Sequence, residues 1–203
     1  TRARRRRALP AWLAALRFTS GKALLRRALL LFDKARKRFE RFSLDVGTTP
    51  LWVAAQEVVT GETIDTWLHG LARQQCARLS RGGFSAQGAP ILKAVVGTPG
   101  RPAVVVLGRQ HPPEVTGVLA LFSFMETVCD DSDLARPFRD NFAVVVYPLM
   151  NPDGVARGHW RHNVGDVDLN RDWGPFAQPE TAIIKQLLDA LAADGRVSGT
   201  AIC

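Results

Sequence analysis

The stretch Gly108–Gly117, GRQHPPEVTG, follows the apolar run AVVVLG (Ala103–Gly108), and its reading decides the rest of the chain. A β-branched run closed by glycine has the pattern of a buried strand. The polar segment after it sets an imidazole, His111, three residues before a carboxylate, Glu114, with Pro112 and Pro113 between them. The two prolines deny the loop a helical start before Glu114 and favour an extended approach in which the two side chains converge. If the run is a strand, the pair stands just past its carboxyl end, where open α/β sheets place their ligands. Imidazole nitrogen and carboxylate oxygen are both good zinc donors. A His-x-x-Glu spacing alone arises often by chance, and an isolated example reads by default as a surface loop.

On either side the signals alternate. PILKAVVG (Pro90–Gly97) is a second β-branched run, separated from the first by the turn TPGR. EVTGVLALFSFMETV (Glu114–Val128) predicts a helix and NFAVVVYPLM (Asn141–Met150) a buried strand. A Gly-rich loop precedes the helix QPETAIIKQLLDALAADG, with Pro179 in its first turn and Gly195 past its end, and GTAIC reads as one more strand cut short by the end of the chain. Upstream, PLWVAAQEVV (Pro50–Val59) is strand-like, and TIDTWLHGLARQQCARLS reads as a helix with Thr63 as its cap. From Ala23 to Phe42 apolar residues recur at three and four with Arg and Lys between, a helix period with a basic opposite face. The expectation is an α/β fold, a mixed, largely parallel sheet flanked by helices and truncated at its C-terminus.

Composition adds bounds. At 203 residues, 46% hydrophobic and 23% charged, the chain has the profile of an ordinary globular protein with a real core. The net charge of +8 is unevenly placed: residues 1–41 hold fourteen of the 27 Lys and Arg against Asp33 and Glu40, about +12, which leaves about −4 for the rest. A basic helix suits an anionic surface, lipid or nucleic acid, but no specific nucleic-acid motif accompanies it, and a solvated face is the plainer reading. RARRRRALPAWLAALRF has the outline of a secretory leader, yet Arg17 follows quickly and no small-residue cleavage site is clear. The chain begins with Thr1 rather than Met, which leaves its natural start open. No run approaches the roughly 18 apolar residues of a membrane span. Cys76, Cys129 and Cys203 form no CxxC and no even-numbered framework, which points to idle thiols and slightly favours a cytoplasmic location without fixing it.

A second constellation runs from Tyr147 to Gly174, YPLMNPDGVARGHWRHNVGDVDLNRDWG. NPDG is turn chemistry, and the polar loop beyond it presents Arg157, His159, Arg161, His162, Asn163, Asp168, Asn170 and Arg171. The joint order of HPPE after one strand, NPDG after the next, and WRHN then DVDLNRDW resembles the zinc carboxypeptidase family, the carboxypeptidase A-like metallopeptidases. The resemblance covers roughly Ile91 to the C-terminus, and the variants look like bacterial and cytosolic-type members more than digestive ones.

What the resemblance implies is specific. His111 and Glu114 match zinc ligands. Asp168 matches the carboxylate that orients the histidine, Arg161 the arginine that polarises the scissile carbonyl, and Asn170 with Arg171 the clamp on a substrate's terminal carboxylate. Zn²⁺ is then the cofactor and a peptide or protein C-terminus the substrate. The family's third ligand, a histidine just after the strand matching GTAIC, and its general-base glutamate further on are not in this sequence, so the chain is expected to be a fragment, inactive and poorly soluble alone. The corresponding division is 1–45, a basic, partly helical extension; 46–89, a connecting strand and helix; and 90–203, the first part of the catalytic domain. His159 and His162 are expected to meet loop carbonyls or solvent, and His69 to be structural or exposed. A related zinc amidohydrolase acting on small acylated amino acids, and a non-catalytic binding module, are the alternatives.

Overall fold

A computed structural model describes residues 16–18, 27–33, 38–44, 51–53 and 57–202. The chain divides into two compact units, Thr1–Val58 and Val59–Cys203. In the first, β1 (Leu16–Phe18) pairs antiparallel with β4 (Leu51–Val53), and β2 (Arg27–Asp33) pairs antiparallel with β3 (Arg38–Leu44). The helix expected over Ala23–Phe42 is therefore replaced by two strands, with Leu29 opposite Phe42 and Phe32 opposite Phe39. Short apolar runs such as ALLLF fit a helical and an extended period equally, and cross-strand pairing decides between them. The strand expected over Pro50–Val59 forms at Leu51–Val53; residues 50 and 54–56 lie outside the described ones. So do residues 1–15 and 19–26, on which most of the expected anionic-surface contact falls.

The second unit is built on a mixed sheet flanked by helices. Its strands are β5 (Arg78–Phe84), β6 (Pro90–Gly97), β7 (Ala103–Leu107), β8 (Ala143–Tyr147) and β9 (Val197–Ile202), in the order β5-β6-β8-β7-β9. The β5–β6 and β6–β8 pairs are antiparallel and the β7–β8 and β7–β9 pairs parallel. Its helices are α1 (Gly61–Arg73), α2 (Val115–Cys129), α3 (Ala135–Asn141), α4 (Pro152–Arg157) and α5 (Pro179–Ala193).

The apolar strands are continuous because both faces of the sheet are covered. Val144 and Val146 of β8, with Ala94 and Val96 of β6 and Val106 of β7, face Ile64, Leu68 and Leu71 of α1 and Val118, Leu121 and Met125 of α2. The alternate residues Val145 and Tyr147 of β8, with Val105 and Leu107 of β7 and Ile91 of β6, join Ile184 and Leu191 of α5 in a second core. Each fully buried side chain of this kind contributes about 1.5–3 kcal/mol of transfer free energy. The connection from β7 runs through α2 to β8, and that from β8 returns through α5 past β7 to β9. The two connections use opposite faces, so the sheet changes direction around β7, the arrangement that opens a crevice at the carboxyl ends of the strands.

Three local differences from the sequence reading have identifiable causes. Helix α1 starts a turn earlier than Thr63, because Thr60 is the cap and forms a reciprocal capping box with Thr63: the Thr63 N–H donates to the Thr60 hydroxyl at 3.1 Å and the Thr60 N–H to the Thr63 hydroxyl at 3.2 Å. The same helix stops at Arg73 without Gly or Pro, since Gln75 takes the left-handed conformation (φ 58°), and the chain then continues as β5. NPDG forms a short helix, α4, with Asn151 capping the Gly154 N–H and Pro152 in the first turn.

The cysteine reading is also corrected. Cys76, just after α1, and Cys129, the last residue of α2, form a disulfide across 53 residues with Cα atoms 5.7 Å apart. An odd cysteine count does not prevent two from meeting when both helices pack on one sheet face. The thiol argument for a reducing compartment falls with it.

Candidate metal and substrate site

The loops after β7 and β8 are stitched together before either presents its side chains. The Gly108 N–H donates to the Tyr147 carbonyl at 2.8 Å, and the Met150 N–H to the Gly108 carbonyl at 3.0 Å. A Cβ at position 108 would stand 2.9 Å from the Pro148 carbonyl oxygen, so glycine is required for this approach. Asn151, wholly buried, extends the seam. Its amide nitrogen donates to the carbonyls of Gln110 (3.1 Å) and His162 (3.3 Å) while its oxygen caps α4. One side chain thus ties the loop bearing His111 to the loop bearing Arg161.

His111 is buried, and both of its ring nitrogens face carboxylates: Nδ1 lies 2.8 Å from Glu114 Oε1 and Nε2 lies 2.8 Å from Asp168 Oδ1. The turn closes by a Glu114 N–H bond to the His111 carbonyl at 3.2 Å, and Glu114, at the cap position of α2, makes no side-chain cap. Asp168 begins a 3-10 turn, Leu169–Arg171, pinned by the buried Leu169, and its Oδ1 accepts the Asn170 N–H at 3.0 Å. The Arg161 Nε donates to Asp168 Oδ2 at 2.7 Å, and the Arg171 Nε stands 4.0 Å from the same oxygen. Burial alone would raise the Asp168 carboxyl, but hydrogen bonds from His111, Arg161 and the Asn170 backbone outweigh it and bring its pKa down to about 2. Asp168 is therefore a full carboxylate near neutral pH, with two guanidinium groups beside it.

The structure thus brings together His111, Glu114, Asp168 and Arg161, with Arg171 at the rim and 77% exposed. Asn170 joins through its backbone, its side chain being exposed. His159 Nδ1 lies 3.2 Å from the His162 carbonyl and His162 Nδ1 lies 2.7 Å from Asp166, so neither turns to the pair; His69 is exposed on α1. Three supporting residues lie inside the sequence motifs but carry no assigned role there beyond the turn chemistry of NPDG. These are Asn151, Asp172 and Gln110, whose side-chain oxygen accepts the Trp173 indole N–H at 2.9 Å and so links the His111 loop to the residues just past the 3-10 turn.

The donor chemistry fits a cation. A neutral imidazole carries one proton, so it can donate to only one of two carboxylates. With Asp168 fixed by Arg161 and Asn170, a tautomer that gives Asp168 the Nε2 proton leaves the Nδ1 lone pair opposed to a Glu114 oxygen at 2.8 Å. Two lone pairs at that distance need a proton or a metal ion between them. An imidazole oriented by a carboxylate on its far nitrogen is the usual second shell of a zinc ligand. Among the described residues no group of three or more His, Cys, Asp or Glu is placed to hold a metal ion, so the pair supplies two donors.

Comparison with known proteins places the chain in a family. The family description "Zinc carboxypeptidase" matches residues 64–188. Human (Homo sapiens) cytosolic carboxypeptidase 4 is 36% identical over 99 residues, which are 47% of this chain and 9% of that protein. A metallo-carboxypeptidase from Burkholderia cenocepacia superposes with a TM-score of 0.71 at 22% identity, over 95% of this chain and 52% of that one. A metallo-carboxypeptidase from Pseudomonas aeruginosa, solved in complex with (2-guanidinoethylmercapto)succinic acid, gives 0.68 at 23% identity over 95% and 51%. The chain spans about half the length of these solved relatives and a tenth of the human one. No helix among the described residues is long and apolar enough to cross a membrane. With the profile match covering more than half of its length, the chain belongs to the zinc carboxypeptidase family.

Proposed function

We propose that this chain carries one half of the active site of a zinc-dependent carboxypeptidase that removes C-terminal residues from peptides or proteins. The observation that carries the reading is the two-sided His111, with Glu114 on one nitrogen and the Arg161-bound Asp168 on the other. His111 and Glu114 would hold the metal, and zinc supplies Lewis-acid chemistry that polarises a carbonyl and acidifies water. Asp168 keeps the imidazole in one tautomer and one orientation. Arg161, 44% exposed and anchored by one nitrogen, directs its remaining N–H groups at a carbonyl oxygen that gains charge during hydrolysis. Arg171, with Asn170 beside it, takes the terminal carboxylate in a planar fork, which restricts cleavage to chain ends. The third metal donor and the general base belong, in this reading, to sequence of the longer protein beyond the described residues.

Support for a carboxylate-binding clamp comes from the Pseudomonas relative, whose bound molecule is itself a succinic acid. The curated relatives' names support a cytosolic setting, while the Cys76–Cys129 bond favours an oxidising one; thiol labelling in intact cells separates the two. An anionic-surface role for residues 1–41 is a separate proposal, tested by salt-sensitive vesicle binding that deletion of those residues abolishes.

The deciding experiment is hydrolysis by the full-length protein of one peptide with a free and with an amidated C-terminus. The free form is cleaved and the amide is not. Arg171→Ala lowers kcat/KM on the free form by roughly 10- to 150-fold, the equivalent of one charged hydrogen bond. Equal cleavage of both peptides would overturn the reading.

A further inference from the structure

We propose that Arg109 is a positioning residue for the metal-binding turn: its buried guanidinium holds the Pro112 carbonyl, between His111 and Glu114, and so keeps the two donors aimed at one point. The inference rests on the functional reading above and names a residue that reading does not use.

Arg109 is 5% exposed, and no carboxylate pairs with it among the described residues. Burying a guanidinium without a counter-charge is unfavourable unless its hydrogen bonds are well made. Its backbone, moreover, lies in the left-handed region at φ 57°, which a residue with a Cβ seldom adopts. Two unfavourable features at one residue beside a site mark a conformation held in place for a purpose.

The contacts say what the purpose is. Arg109 Nε donates to the Pro112 carbonyl at 2.6 Å, and its terminal nitrogen donates to the Val59 carbonyl at 3.0 Å. The Arg109 carbonyl in turn accepts the Asn151 N–H at 3.2 Å. Pro112 and Pro113 have no N–H, so the turn has few donors of its own with which to fix its shape. An external donor at the middle carbonyl replaces them. Val59 belongs to the core under α1, so the guanidinium ties the turn to a packed layer. A planar fork reaches both carbonyls at once, and a single ammonium reaches one.

The test is zinc affinity of the full-length protein, measured by competition with a chromophoric chelator, for wild type, Arg109→Met and Arg109→Lys. Near-UV circular dichroism and cooperative melting of the metal-free proteins report folding. Folded Arg109→Met is expected to bind zinc about 10- to 100-fold more weakly, as for other partners behind metal ligands. Arg109→Lys, keeping the charge and one donor, is expected between Arg109→Met and wild type. If Arg109→Met does not fold, Arg109→Lys decides. A folded Arg109→Met within about twofold of wild type, Arg109→Lys at the wild-type affinity, or failure of both variants to fold would overturn the proposal, the last showing a role in the fold alone. Absence of zinc binding by the wild type would remove the functional reading itself, an outcome separate from equal binding by all three.

Discussion

Replacing Asp168 with asparagine keeps the shape and one acceptor of the side chain but removes its charge. In the structure the carboxylate receives Arg161 at 2.7 Å on one oxygen, and meets His111 at 2.8 Å and the Asn170 N–H at 3.0 Å on the other. An amide oxygen placed toward His111 and Asn170 preserves those two contacts as neutral ones; its NH₂ then faces Arg161, donor against donor. The Arg161 pair is 44% exposed on the arginine side, so its loss costs up to about 1 kcal/mol. Downgrading the buried His111 contact from a charged to a neutral hydrogen bond costs about 1 kcal/mol more. Asp168→Asn is therefore expected to lower the unfolding free energy by about 1–2 kcal/mol, measured by urea unfolding near neutral pH. Arg161→Gln removes the same ion pair, so the double variant falls short of the sum of the singles by about 0.5–1 kcal/mol. A single variant within about 0.3 kcal/mol of wild type, or strict additivity with Arg161→Gln, would refute the claim that Asp168 holds both His111 and Arg161.

Reducing the Cys76–Cys129 bond, or replacing both residues with serine, is expected to cost about 2–4 kcal/mol, since the bridge closes a loop of 53 residues; identical melting with and without reductant would exclude the bond. Asp172 is buried, and although burial raises its carboxyl, hydrogen bonds from the Thr181 hydroxyl and the Gln178 and Ala177 N–H groups lower it further. A folded-state value below 3.8 means that its stabilisation is complete above that pH and is lost as pH falls through the folded value. Asp172→Asn should accordingly flatten the acid limb of stability below about pH 4, and an unchanged limb would contradict the assignment. Met125→Ala, which empties the layer between α2 and the sheet, is expected to cost about 2–5 kcal/mol in the same urea assay.

The parts of the fold that could be read from residues are those with one dominant period. β6 over Pro90–Gly97, β7, β8 and α5 follow from β-branched runs and from an amphipathic stretch framed by Pro179 and Gly195. The ends of α1 could not, because Gln75 takes a left-handed turn usually marked by glycine. Ala23–Phe42 failed for the opposite reason: its apolar spacing fits a helix, while long-range pairing of Arg27–Asp33 with Arg38–Leu44 sets the outcome. In the site, His111, Glu114, Asp168 and Arg161 were readable as a motif and meet in space. Arg109 and Asn151 stand in the same stretches of sequence, but their contacts could not be read there. Their function lies in hydrogen bonds to carbonyls of Val59, Pro112, Gln110 and His162, and a backbone carbonyl leaves no trace in a residue pattern.

The most direct measurement is the zinc content of the full-length protein, purified without added metal and analysed by inductively coupled plasma mass spectrometry, beside His111→Ala and Glu114→Gln. One zinc per chain in the wild type and its loss in both variants, with folding retained, is the predicted result. Zinc held undiminished by both variants, or absent from the wild type under every purification, would contradict the account.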